Sequence, residues 1–283
     1  MATLIPKAKT FEKPGTVDEA VALLQADSGK TLVYAGGTAL AFSQPKAERI
    51  IDISELPLKG CELTSNGDLE IGALTTISQL EKDSNAQSFC GGIIPLATDK
   101  LASTPLRNLI TVGGNLAGGY AWSDLPVALL AMDAKYCLLP GKAVEPIPCD
   151  GEVSFRRLTE DGTLISHVVL DGAFKNRSGA FLKFARTSTD LAMVTTAVTM
   201  EIKDNVMNSV RIVAGGLVAI PQRLKNLEAE LEGQKPGEEL FKNIAGKVDI
   251  KVRPDTRATE EYRLEVLKTL IVRACLNCVK GAC

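Results

Sequence analysis

From Met193 to Lys203 apolar and polar residues alternate almost without a break. Val194, Thr196, Val198, Met200 and Ile202 fall on one face of an extended chain, and Thr195, Thr199, Glu201 and Lys203 fall on the other. That period predicts a strand with one apolar face; Asp204-Asn205 turns the chain and Val210 to Ala214 returns it. Between Ala258 and Val279 the period changes. Leu264, Leu267, Ile271, Ala274, Cys275 and Cys278 recur at helical spacing, which predicts one long amphipathic helix. Gly233, Pro236 and Gly237 separate shorter helical segments before it. Residues 173–283 therefore read as a small antiparallel sheet backed by helices.

The first half reads differently. Thr16-Val17-Asp18-Glu19 is a capping box that opens a helix through Val21 and Leu24. Strands follow at Thr31 to Tyr34 and Arg49 to Ile53, so residues 1–56 form a βαβ-like unit. Over residues 57–172 short strands alternate with helices. Asn66-Gly67 marks a hairpin between Glu62-Leu63 and Leu69 to Ile71. Thr76 or Ser78 can cap a short helix, and Gly92 to Thr98 belongs to a second. Lys135 to Leu139 and Thr163 to Leu170 add strands to a mostly antiparallel set. The expected class is α+β: a two-part domain over residues 1–172 (1–56 and 57–172), then a C-terminal domain over 173–283.

Composition narrows the function without assigning it. The chain has 283 residues, 45% apolar and 23% charged, as an ordinary globular protein has. A net charge of −2 argues against a nucleic-acid groove or a basic membrane face. No apolar run approaches the ~20 residues of a bilayer span, and Met1 to Lys13 lacks a signal-peptide layout, so a cytoplasmic location is expected. His167 is the only histidine; as a structural residue in its strand it leaves no Ser-His or Cys-His nucleophile, and no catalytic acid or base is named. Seven cysteines are scattered. Cys275, Cys278 and Cys283 resemble metal-ligand spacing but lack a fourth ligand, and the first two sit one turn apart on the apolar helical stripe. They read as buried thiols, and no metal site is expected in this chain.

The candidate chemistry lies in two glycine pairs. Val33-Tyr34-Ala35-Gly36-Gly37-Thr38-Ala39-Leu40 ends a strand in adjacent glycines. The β-branched pair Thr111-Val112 leads into Gly113-Gly114-Asn115. Adjacent glycines let consecutive amides turn inward into an anion nest, and two nests suit a diphosphate held without lysine. Each pair alone is better read as a tight turn. Ser123-Asp124 stands at a helix start with Pro126 in its first turn. Ser28-Gly29-Lys30-Thr31 is not a phosphate-binding P-loop, because Leu24 stands where that motif requires glycine and a helix precedes it. No Gly-x-Gly-x-x-Gly supports a Rossmann site.

Taken together, these stretches resemble the FAD-binding medium subunit of the molybdenum hydroxylases, the xanthine dehydrogenase and carbon monoxide dehydrogenase family. The resemblance runs through Ala35 to Thr38, Ile71 to Thr76, Arg107 to Asn115 and Ser123-Asp124-Leu125. It continues through Lys183 to Arg186, Asp190-Leu191-Ala192, Ala214-Gly215-Gly216 with Pro221, Asp255 to Ala258 and Tyr262-Arg263. It implies a vanillyl-alcohol-oxidase-like FAD domain followed by the flavoprotein C-terminal domain. It assigns the FAD diphosphate to Val33 through Leu40 and to Thr111, Val112, Gly113, Gly114 and Asn115. Asp124 then accepts from a cofactor hydroxyl, Lys183 lies near the flavin ring, and Leu101 and Ile165 are apolar ring contacts.

The resemblance further implies an oxidoreductase subunit working with a large molybdopterin subunit and a small [2Fe–2S] subunit, with NAD+ or another acceptor taking the electrons. Without it, Asp124 reads equally as a helix N-terminal charge and Lys183 as a surface lysine. A self-contained FAD-dependent oxidoreductase with its own small substrate is the alternative, and a cofactor-free scaffold subunit a third. The chain departs from the pattern at Leu116 to Trp122, where Gly118-Gly119-Tyr120-Ala121-Trp122 suggests an aromatic folded over the flavin or facing a partner.

Overall fold

The structure is a computed structural model that describes residues 8–27, 30–40, 47–141, 143–146 and 162–281. Ser28-Gly29 of the rejected P-loop, Cys149, Cys283 and the first seven residues of the leader reading lie outside the described residues.

The first unit is a parallel three-stranded sheet. Strand β1 (Thr10–Glu12) leads through helix α1 (Val17–Ala26) to β2 (Thr31–Tyr34) and β3 (Arg49–Asp52), in the order β1-β3-β2. Thr16 accepts from the Glu19 amide at 3.2 Å, while the Glu19 carboxylate takes the Gly15 amide at 2.8 Å. The start of α1 is thus held from both directions. Ala20, Leu24, Ile51, Ile53 and Leu56 fill a small core together with Leu74 and Leu164 from the next unit. Strand β1 escaped the sequence reading because three residues are too few to show a period.

The second unit carries β4 (Cys61–Leu63), β5 (Leu69–Gly72), β6 (Lys135–Leu139), β7 (Ala143–Pro146) and β8 (Leu164–Leu170) in an antiparallel sheet of order β4-β5-β8-β6-β7. Between β5 and β6 run α2 (Ile77–Lys82), α3 (Ser84–Ser88), α4 (Ile93–Thr98), α5 (Thr104–Arg107), α6 (Val112–Gly118) and α7 (Leu125–Ala131). Thr76 caps α2 in a complete capping box with Gln79. Every residue of α7 is buried, so it is a wedge between layers and not a surface helix.

The third unit is the antiparallel sheet of β9 (Ser178–Phe184), β10 (Val194–Lys203), β11 (Val206–Gly215) and β12 (Gln222–Arg223), in the order β12-β11-β10-β9. Helices α8 (Lys225–Leu231), α9 (Glu238–Ala245) and α10 (Glu260–Lys280) back it. Strand β11 starts four residues earlier than Val210, the position the sequence suggested. The alternation in β10 is real, but its second face meets solvent only at the end of the strand, at Glu201 and Lys203. Val194, Val198 and Met200 join the core under α10, whereas Ala197 joins the core of the second unit and Thr195 and Thr199 are fully enclosed. Thr199 donates to the Ala131 carbonyl at 2.7 Å, so the polar face of β10 lies against α7.

Helix α7 is tied to the C-terminal sheet beyond both its ends. Asp133, just after it, takes Arg211 Nε and Arg223 Nη1, each at 2.8 Å. Arg223 also reaches Glu228 at 2.5 Å, and Glu228 accepts the Ile212 amide at 3.0 Å. Asp124, just before α7, makes the second tie. No helix among the described residues is long and apolar enough to cross a membrane.

Candidate functional site

Strand β2 delivers Tyr34 to a loop whose amides, Gly36 through Ala39, donate to no acceptor among the described residues. Gly37 has φ +68°, a conformation that glycine adopts without steric cost. Four consecutive donors without an acceptor among the described residues, in a half-exposed loop, suit an anion. Gly36 carries the second constraint. A Cβ there would lie 1.7 Å from the Leu109 carbonyl oxygen, so the loop packs backbone to backbone against the residues that lead into Thr111. The two glycine motifs, more than 70 positions apart in the chain, are brought together at this contact.

The second motif differs from the nest that its sequence suggested. Thr111 is the N-cap of α6, and Val112, Gly113, Gly114 and Asn115 are already helical. The Val112 amide donates to the Thr75 carbonyl at 2.9 Å and the Gly113 amide to the Ala73 carbonyl at 2.8 Å. Gly114 donates to Thr111 Oγ1 at 3.2 Å. Tertiary contacts with the segment after β5 have taken the donors that a free nest would offer, because buried amides must find partners. What remains toward solvent is the exposed Gly114 face and the half-exposed Asn115. The Asn115 amide oxygen accepts from the Ser123 hydroxyl at 2.6 Å, which links this motif to the start of α7.

Asp124 and Lys183 meet at that start. Lys183, on β9, places Nζ 2.7 Å from Asp124 Oδ2 and 3.2 Å from the Lys100 carbonyl oxygen. Asp124 is 2% exposed and its other oxygen, Oδ1, is buried without a hydrogen-bond partner. It stands at the N-cap position but in a helical conformation, and its carboxylate makes no cap hydrogen bond. Desolvation pushes the Asp124 carboxyl up to about 6 against the opposing pull of Lys183, with Asp99 adding to the rise. Lys183 is thus no surface lysine, and Asp124 is no simple helix charge. Leu101 follows Lys100 directly and is buried; Ile165, on β8, belongs to the same apolar cluster. Beside Ile165 the ladder is irregular, with Cys137 opposite His167 and Leu138 opposite Ile165, and Ser166 is left as the bulged residue. His167 Nδ1 lies 2.9 Å from Ser166 Oγ.

The Gly118-to-Trp122 segment uses its aromatics on itself. Tyr120 and Trp122 stack with ring centroids 5.0 Å apart and planes at 22°, and Trp122 stays 40% exposed. The Ala121 carbonyl takes the Gly216 amide at 3.1 Å, which fastens the loop to the C-terminal sheet. A Cβ at Gly118 would sit 2.6 Å from the Tyr120 ring. Gly118→Ala is therefore expected to push Tyr120 off Trp122, with a red-shifted emission from the single tryptophan and greater access to a soluble quencher. Unchanged emission would mean that the stack does not shield Trp122.

Several resembling motifs turn out to be one structural knot. Buried Arg263 donates to the Met193 and Gly216 carbonyls at 3.0 and 3.1 Å and pairs with Asp255 at 2.5 Å; Asp255 also pairs with Arg257 at 2.8 Å. These two guanidinium groups hold the Asp255 carboxyl well below the usual carboxylate range. Cys275 and Cys278 pack in the C-terminal core, where burial pushes the Cys275 thiol up to about 12. Among the described residues no group of three or more His, Cys, Asp or Glu is placed to hold a metal ion. The stretch that contains Arg107 and Asp133 stood out in the sequence, but their partners did not: Arg107 pairs with Glu81 and Asp133 with Arg211 and Arg223, and a lone charged residue carries no period to reveal such contacts.

Residues 7–170 match the family described as the FAD binding domain in molybdopterin dehydrogenase, and residues 179–278 match the CO dehydrogenase flavoprotein C-terminal domain. The chain is 27% identical over 285 residues to the glyceraldehyde dehydrogenase medium chain of Sulfolobus acidocaldarius, covering 96% of this chain and 98% of that one. It is 26% identical over 287 residues to a putative xanthine dehydrogenase FAD-binding subunit of Escherichia coli, covering 96% and 97%. A solved structure of the carbon monoxide dehydrogenase from Hydrogenophaga pseudoflava, in a form lacking the Mo-pyranopterin moiety, contains a chain that superposes with a TM-score of 0.89 at 24% identity, covering 99% of both chains. That last likeness is one of fold.

Proposed function

Because this chain belongs to the family of FAD-binding subunits of the molybdopterin dehydrogenases, we propose that it is the flavin-bearing medium subunit of a molybdenum hydroxylase complex. In that complex electrons leave an organic substrate at a molybdopterin centre on a large subunit. They cross [2Fe–2S] clusters on a small subunit, reach the FAD of this chain, and pass to NAD+ or another acceptor. Family membership makes the chain part of an oxidoreductase whose cofactor here is FAD.

The observation that carries the site assignment is the pairing of two unsatisfied features. One is the run of amides from Gly36 to Ala39, which donate to no acceptor among the described residues, packed against the approach to α6. The other is the buried, unpartnered Oδ1 of Asp124. The first fits a diphosphate, which needs donors; the second fits a ligand hydroxyl, which can donate to a carboxylate. Val33 through Leu40, with Gly114 and Asn115 at the start of α6, are the diphosphate side of the site. Thr111, Val112 and Gly113 shape it through their own hydrogen bonds.

FAD, when bound, would supply the redox chemistry, with capacity for two electrons. The chain's own residues position it. Lys183 would offer a cation to a reduced, anionic ring, and the Asp124 carboxylate keeps that cation in place. Leu101 and Ile165 would back the ring from the buried apolar cluster they share. Nothing here requires a general acid or base from this chain.

The full chain, purified with FAD, is expected to show flavin absorbance, to be reduced by dithionite, and to leave organic hydroxylase substrates untouched. Purification of the native complex should return this chain with a molybdopterin subunit and an iron–sulfur subunit. Reduction of the flavin by an organic substrate with this polypeptide alone would overturn the subunit reading.

A further inference from the structure

We propose that Arg107 is a positioning residue for the flavin side of the site: by holding the Ala102 carbonyl it fixes the turn that carries Leu101 and the Lys100 carbonyl. The proposal rests on the reading of Leu101 and Lys183 as ring contacts, and on an arrangement of backbone and guanidinium that stands apart from it.

Helix α4 ends at Thr98, and the chain turns at once, with the Leu101 amide donating to the Thr98 carbonyl at 3.1 Å. The next residue, Ala102, has φ +56°. That left-handed conformation crowds an L side chain against its own backbone, and it persists only where the surroundings impose it. The imposing group is Arg107. Its Nη1 donates to the Ala102 carbonyl at 2.9 Å, its Nη2 to Thr104 Oγ1 at 3.2 Å, and its Nε to Glu81 Oε2 at 3.1 Å. Three partners, on the turn, on α5 and on α2, fix all faces of a planar fork whose side chain is 11% exposed. A lysine has no such fork and cannot meet the three at once.

The turn matters because of what hangs from it. The Lys100 carbonyl is one of the two acceptors that hold Lys183 Nζ, the other being Asp124. Leu101 reaches the apolar cluster that includes Ile165. If the Ala102 peptide rotates out of its left-handed state, the Lys100 carbonyl and the Leu101 side chain move with it, since each is within two residues. Lys183 then keeps only its carboxylate. One guanidinium, whose hydrogen bonds go to Ala102, Thr104 and Glu81, thereby sets two of the groups assigned to the ring.

The test uses the full chain freed of FAD and retitrated by flavin fluorescence. Arg107→Gln, and Arg107→Lys as the milder variant that keeps a cation for Glu81, should each bind FAD about tenfold more weakly, the scale of one charge-assisted hydrogen bond. In the cofactor-free chain, amide exchange at Leu101 should quicken in both. The decisive arm is rescue: Ala102→Gly added to either variant should restore most of the affinity, because glycine holds φ +56° without a clamp. Wild-type affinity in both single variants overturns the proposal, and so does a double variant as weak as the single, since Arg107 would then act by direct contact or through the fold at large. Should Leu101→Ala and Lys183→Met both leave FAD binding unchanged, the ring-contact reading fails, and the proposal with it. Leu101 exchange in the cofactor-free variants would still report whether Arg107 holds the turn.

Discussion

Gly36→Ala is expected to abolish FAD binding and to destabilise the fold, whereas Gly114→Val is expected to abolish binding with the fold intact. At Gly36 the new methyl would stand 1.7 Å from the Leu109 carbonyl oxygen and 2.7 Å from its carbon. Both are backbone atoms, so no rotamer change relieves the overlap; the first loop must lift away from the approach to α6. Forced overpacking of this kind costs about 1–3 kcal/mol or more. It also separates the two motifs that together face the diphosphate. At Gly114 the added Cβ meets only Thr111 Oγ1, at 2.8 Å, on an exposed first turn. Displacing that cap costs about 1 kcal/mol, partly offset because valine is a better helix former than glycine. Melting should barely move, yet a branched side chain would cover the surface a phosphate oxygen must approach, with affinity falling about a hundredfold or more. Melting curves and FAD titrations on both variants check the pair. A Gly114→Val protein with wild-type affinity would remove the start of α6 from the site.

Lys183→Met should destabilise the cofactor-free chain strongly at pH 8 and much less at pH 5. Burial raises the folded Asp124 carboxyl to about 6, above its unfolded value. A group raised in this way lends stability that is fully present below the unfolded pKa and is lost as pH climbs through the folded one. In the wild type that loss amounts to roughly 2–3 kcal/mol and is complete just above pH 6. Lys183 limits it by favouring the carboxylate. Without the lysine the folded pKa rises further, so the loss continues to higher pH; a buried carboxylate stripped of its partner costs about 3–5 kcal/mol. At pH 5 the carboxyl is mostly protonated in both proteins, and the missing cation matters little. Denaturant melts at the two pH values read the difference directly, and Asp124→Asn should flatten the wild-type dependence between pH 4 and 7. An equal deficit for Lys183→Met at both pH values would show that the two side chains are not electrostatically coupled.

The local signals in the chain were legible where they were self-contained. The Thr16 capping box, the Asn66-Gly67 hairpin, the alternation of β10 and the stripe of α10 each depend on residues close in sequence, and each appears in the structure. The two glycine pairs stood out for the same reason. Their membership of one site rested on resemblance, and the structure supplies the Gly36–Leu109 contact that joins them.

Sequence alone therefore determined the element types, the class of the fold, and which short motifs could bear on a cofactor, because periodicity, capping and glycine permissiveness are properties of neighbours. The tertiary structure decided how the donors and charges were spent. The amides of Val112 and Gly113 went to Thr75 and Ala73, while those from Gly36 to Ala39 found no acceptor among the described residues. Thr195 and Thr199 on the polar face of β10 were buried, with α7 lying against Thr199. Asp124 and Lys183, 59 positions apart, became one ion pair, with a carboxylate oxygen left over, because a helix and a strand from different units meet there. Whether a polar group is free or committed depends on what packs against it, and that is set by contacts no local pattern records.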